Sequence, residues 1–157
     1  MPEIIQGIPL PLFDRLTLGS SDEAAGVLLD SMDGMQASIR RDLHRLLNTR
    51  SNLGVERYLE QELTVVDFGI PEVAVLSTRS GEDRNQLEKV LKKAIHAFEP
   101  RLINISVQVL ESVRRNSRLD VLIAADACLH AEQQRMEFQI ELDGAQDARE
   151  GPEYVSF

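Results

Sequence analysis

A carboxylate, a proline and a guanidinium follow one another at Glu99-Pro100-Arg101. A carboxylic acid at a rigid corner could act as the general acid of glycoside cleavage, provided a second carboxylate lies about 5–9.5 Å away across a sugar-binding cleft. Together with the arginine, the same acid could instead make a charged contact with another protein. The plainest reading is a helix stop flanked by two solvated charges, which contribute little in most surface pairs. Proline fixes its own φ and disfavours the α region for the residue before it, so the preceding helix should end near Phe98. Both charges then start from constrained positions.

The other reactive side chains form no constellation. His44, His96 and His130 lie on different expected elements. Cys128 and His130 point the same way along one strand, but two ligands are fewer than the three or four zinc needs, so no metal is expected. Asp67-Phe68-Gly69 spells the magnesium-binding triplet of protein kinases without a glycine-rich loop, a catalytic loop or enough chain for two lobes. No nucleophile elbow, phosphate loop, dinucleotide fingerprint or zinc-protease helix occurs, and no cofactor is expected.

These residues sit in 157 with 43% hydrophobic content, enough for one domain with a core. With 26 acidic against 17 basic residues, the net charge of -9 repels phosphate backbones on average. Two basic clusters exist, Arg40, Arg41, His44 and Arg45 on a helix face and Arg114, Arg115 and Arg118 at a hairpin turn. Aromatics are only 4% of the chain, so bases have little to stack on, and these clusters read as solvated faces or protein-docking charges. No nucleic acid is expected as a partner. The sequence has no run of about 18 apolar residues and no secretory start, so direct membrane insertion is not expected and a cytoplasmic location is. A single cysteine agrees with a reducing compartment.

Residues 1–25 read as an N-terminal arm with prolines at 2, 9 and 11. Leu12, Phe13 and Leu16 are too apolar for a free linker and would dock on this domain or on another chain. From about Ala24 to Leu47, apolar residues at spacings of three and four predict a helix. Its best-supported part is Met32–Leu47, capped by Asp30 or Ser31, with Asn48-Thr49-Arg50-Ser51-Asn52 as the exit loop. Val55, Leu59, Leu63 and Val66 predict a second helix from Val55 to Val66, with Gly69 and Pro71 as its exit. A third runs from about Glu82 to Phe98, capped by Ser80, with acids first and lysines later to suit the helix dipole.

Beyond Pro100 the period changes to two. Ile103, Ile105, Val107 and Val109 predict one strand face, Leu119 to Leu129 a second and Met136 to Leu142 a third. Three strands joined by short loops imply an antiparallel β-meander with the N-terminal helices packed on its apolar face, an α+β fold. The domain should span 26–143, followed by an acidic C-terminal tail at 144–157.

Three short motifs occur in a particular order: Leu46-Leu47-Asn48-Thr49-Arg50, Phe68-Gly69-Ile70-Pro71-Glu72 and Phe98-Glu99-Pro100-Arg101-Leu102. In this the chain resembles, over residues 10 to 142, the phage baseplate wedge family often labelled tail-lysozyme-like. Its length and Leu12-Phe13-Asp14-Arg15-Leu16 resemble the type VI secretion branch of that family. The second motif departs from the family's commoner Asn-Tyr-Gly-Leu-Pro-Asp pattern. The resemblance implies a structural, non-enzymatic part of a contractile injection machine. It would sit in the baseplate at the cytoplasmic face of the inner membrane, bind other wedge subunits and help initiate assembly of the contractile sheath. The expected partner-binding residues are Glu99, Pro100, Arg101, Asn48, Thr49, Arg50, Leu12 and Phe13. The alternative is a peptidoglycan hydrolase using Glu99, for which a chain without tryptophan and with two tyrosines is poorly supplied.

Overall fold

The computed structural model describes residues 8–9, 28–29, 31–72, 80–110, 119–129 and 131–142. In chain order these form β1 (Ile8–Pro9), β2 (Leu28–Leu29), α1 (Met32–Leu47), α2 (Val55–Glu60), a 3-10 turn (Val65–Asp67) and α3 (Gly81–Phe98). Three strands follow: β3 (Leu102–Leu110), β4 (Leu119–Leu129) and β5 (Glu132–Leu142). The arm residues Leu12 and Phe13, the Arg114–Arg118 turn, His130 and the 144–157 tail lie outside the described residues.

Helix α1 starts where the Ser31 hydroxyl accepts the Gly34 N–H at 3.1 Å, a cap contributing about 1 kcal/mol. Leu28 and Leu29, expected in its first turns, instead pair antiparallel with Pro9 and Ile8. Met35, Ile39, Leu43, Leu46 and Leu47 form its buried stripe. Helix α3 is capped by Ser80 and buries Leu87, Val90, Leu91, Ala94 and Ile95.

The second helix is shorter than its apolar spacing predicts. It stops at Glu60, and Val66 is 77% exposed rather than on a buried face. The Asp67 carboxylate takes both the N–H and the hydroxyl of Thr64, at 2.9 and 2.8 Å, which gives the backbone a closed turn in place of further helix. Lys93 then reaches from α3 to the end of α2, donating to the carbonyls of Leu59 and Gln61 at 2.8 and 2.7 Å.

The sheet is an antiparallel meander in the order β3-β4-β5, so the expected α+β architecture is what the chain forms. Val121, Ile123, Ala125, Ala127, Met136, Phe138, Ile140 and Leu142 face inward as their alternation predicts, under α1 and α3. Strand β3 departs from simple alternation. A bulge between Ile103 and Ser106, with Asn104 at φ 51°, changes the parity of the strand. Leu102 is therefore buried and Ile103 is 49% exposed, the reverse of the expected arrangement. No described helix is long and apolar enough to cross a membrane.

Candidate functional site

Helix α3 hands over to β3 within three residues. The Glu99 N–H still bonds to Ile95 O at 2.8 Å, and the Leu102 N–H bonds back to Glu99 O at 3.2 Å, closing a turn around Pro100. That turn folds the Arg101 guanidinium onto Glu99, with Nε to Oε1 and Nη2 to Oε2 both at 2.6 Å. Arg101 also reaches α1, donating from Nη1 to Ser38 Oγ at 3.0 Å and from Nη2 to Asp42 Oδ2 at 2.7 Å. Burial alone would lower the Arg101 pKa, but its bonds and charge contacts with Glu99, then Asp42, outweigh that and leave it raised.

The expectation that Glu99 and Arg101 present themselves to a partner is corrected by this geometry. The Glu99 side chain is 4% exposed and both its oxygens are held by Arg101, itself only 16% exposed. The pair is a clasp that fixes the α3–β3 corner to α1. The same occupancy leaves Glu99 no open face for a sugar, so it does not serve the hydrolase alternative. Pro100, at the outside of the turn, is exposed.

The other two motifs meet each other. Gly69 has φ 108°, and a side chain there would put its Cβ 2.5 Å from Thr49 O, so only glycine lets the two loops lie this close. Ile70 N–H donates to Thr49 O at 2.9 Å and Ser51 N–H to Ile70 O at 2.8 Å, making a parallel bridge between Arg50 and Ile70. The buried Tyr58 hydroxyl donates to Gly69 O at 2.7 Å, and Arg50 pairs with Glu72 at 3.4 Å. Asn48 Nδ2 donates to Glu141 O on β5 at 3.2 Å, and Phe68 packs edge-on against Phe98 at 5.3 Å between centroids. Three motifs separated in sequence thus form one seam joining the helices to both outer strands. Thr49 and Arg50 are exposed along it, while Asn48 is half-buried.

The helix-face basic cluster is largely used at home. Arg45 pairs with Asp42 at 3.1 Å, and the Arg40 guanidinium lies 5.8 Å from the centre of the Phe138 ring. Among the described residues, no group of three or more His, Cys, Asp or Glu side chains is placed to hold a metal.

Neither β3 nor β5 has a further strand beside it among the described residues. Along β3 the Val109 N–H, which points away from β4, is taken by Glu88 Oε1 at 3.0 Å. Grooves of about 790 and 420 Å³ run between α3 and β3, walled by Lys89, Lys92 and His96 on one side and by Ile103, Ile105 and Val107 on the other.

A family model described as "Baseplate wedge protein gp25" matches residues 33–143. The chain belongs to this family. Two solved structures are similar to this chain. One, described as "putative tail lysozyme" from Geobacter sulfurreducens, is 20% identical, with a TM-score of 0.50 over 78% of this chain and 99% of that one. Another, from "the baseplate complex from the type VI secretion system", is 17% identical, with a TM-score of 0.49 over 70% of this chain and 95% of that one. No curated protein matches.

In this wedge-family chain, sequence reasoning missed five side chains that hold the seam: Ser38, Asp42, Tyr58, Lys93 and Asp67. Ser38 and Asp42 carry a readable signal, since they lie four residues apart and therefore on one helix face. Nothing local marks Lys93, whose two acceptors are more than thirty positions away. Asp126 was missed for the same reason. It gathers Asn104 at 2.8 Å, Gln133 at 3.1 Å and Arg135 at 3.0 Å, tying the bulged stretch of β3 across to β5.

Proposed function

We propose that this wedge-family chain is a TssE-type subunit of a type VI secretion baseplate, a structural protein that binds other wedge subunits and helps initiate the contractile sheath. The observation that carries the reading is a three-stranded sheet whose two outer strands have no further strand beside them among the described residues and whose orientation is fixed by the seam. An open margin offers unpaired N–H and C=O groups on which a neighbouring chain can add a strand. A sheet that templates strands must not rock on its support, and the clasp at Glu99 and Arg101 supplies that rigidity from behind.

Of the expected contact set, Pro100, Thr49 and Arg50 reach solvent and take the direct contacts with wedge partners. Asn48 anchors the loop that carries them. Leu12 and Phe13 add an apolar contact from the N-terminal arm. The work is done at the cytoplasmic face of the inner membrane, without insertion into it and without nucleic acid, metal or cofactor.

The test is assembly. In cells lacking the native subunit, this chain should restore fluorescent sheath foci and co-purify with wedge proteins. Arg50→Gln, which removes the charge without setting a carboxylate against Glu72, should leave the fold intact and reduce that co-purification. Full assembly in the complete absence of the chain would sink the proposal.

A further inference from the structure

We infer that the groove between α3 and the outer margin of β3 receives an extended acidic segment of a partner protein, laid beside Ile105–Val107. This rests on the strand-templating reading above and names both the margin and the chemistry of its occupant. The Val109 N–H bonds outward to Glu88, so strand alternation turns the N–H and C=O of Val107 outward too. Glu88 shows what this margin accepts: a carboxylate already occupies one of its amides. Beyond that residue no described strand pairs with the margin along the groove.

The opposite wall is basic on a chain whose net charge is -9. Lys89, Lys92 and His96 are exposed and make no ion pair among the described residues, while Lys93 is held by Leu59 and Gln61. The floor is apolar, built by Pro100, Leu102 and Ile105. Earlier residues of α3 face later residues of β3, so the two walls run antiparallel along the groove. From residue 89 to 96 the helix rises about 10.5 Å at about 1.5 Å per residue. At about 3.3 Å per residue that equals roughly three residues of strand, enough for two alternate side chains of the occupant to face this basic wall. The β5 margin differs in sign, with Glu132, Glu137 and Glu141 beside one arginine, Arg135. The two margins therefore select different chains.

The full chain is titrated with two synthetic peptides, one alternating glutamate with valine and one alternating lysine with valine, while backbone amide shifts are followed by NMR. The acidic peptide should shift the amides of 105–109, bind more weakly as salt rises, and lose about tenfold in affinity to Lys89→Glu combined with Lys92→Glu. That variant should take up the basic peptide. Equal binding of both peptides, shifts confined to β5, or self-association of the chain through this groove would each overturn the inference. Failure here with sheath assembly intact would remove the acidic occupant only, whereas peptide binding without assembly would remove the baseplate role only.

Discussion

Replacing Arg101 by methionine separates a clasp from a docking group. Methionine keeps much of the apolar stem but removes all five donors, leaving the Glu99 carboxylate with only the Arg101 backbone N–H, at 3.3 Å. Removing one partner of a buried ion pair costs about 3–5 kcal/mol, because the other charge stays buried without compensation. Glu99 fits that case at 4% exposure, whereas Asp42 at 18% keeps Arg45 and some water, so the lower end, about 3 kcal/mol, is expected. For a chain of this length that lowers Tm by about 6–12 °C. With a urea m-value of about 2 kcal/mol/M, the midpoint moves by about 1.5 M. Urea unfolding of the isolated protein, followed by far-UV circular dichroism, measures it. Glu99→Leu added to Arg101→Met should recover most of the loss, since a buried pair replaced by apolar groups is often nearly neutral. A loss below about 0.5 kcal/mol for Arg101→Met would place the arginine among ordinary exposed pairs and refute the clasp.

Three further outcomes follow from the seam and the sheet. Gly69→Ala should cost about 2–3 kcal/mol in the same assay, since φ 108° strains alanine and its Cβ meets Thr49 O; an unchanged midpoint would mean the two loops are free to separate. The Asp126 carboxyl is held below its ordinary range by the Asn104 hydrogen bond, then by Arg135, against the opposing effect of burial. Its contribution is therefore present above about pH 3.9 and lost as pH falls through the lowered folded value, so wild type should lose more stability than Asp126→Asn between about pH 5 and 2. Burial, then the nearby Asp67, pushes the Tyr58 phenol well up. Its contribution is present below about pH 10 and lost as pH rises through the raised folded value, so in an ultraviolet titration Tyr58 should ionise only with alkaline unfolding.

What could be read ahead of the fold was whatever depended on neighbours in sequence. The Met32–Leu47 part of α1, the start of α3 at Ser80 and the inward faces of β4 and β5 all follow from local spacing and caps, whereas the continuation back to Ala24 does not form, Leu28 and Leu29 pairing as a strand. Strand β3 could not be read so, because the alternation Ile103, Ile105, Val107, Val109 is regular and only the φ of Asn104 breaks it. The end of α2 escaped for a related reason: Val66 continues an apolar spacing, but the Asp67–Thr64 turn competes with the helix and wins. At the junction the proline was legible as a corner. The direction of its charges was not, since Ser38 and Asp42 lie 63 and 59 positions from Arg101.

That inward turn changes what the junction contributes to an assembly. A pair of solvated charges would give a partner a weak and salt-screened contact. A buried clasp is a poor source of net stability, because removing two charges from water offsets much of their attraction. Its geometry is nevertheless specific: the guanidinium fork engages Glu99, Ser38 and Asp42 together in only one relation of the α3–β3 corner to α1. The Asn48–Glu141 bond fixes β5 at the other side of the sheet, and the Asp126 cluster locks the bulge that turns Ile103 outward beside the groove. Rigid support under two margins of unlike charge suits the proposed strand addition, because a template that rocks or that accepts either chain at either side cannot set the register of what pairs with it.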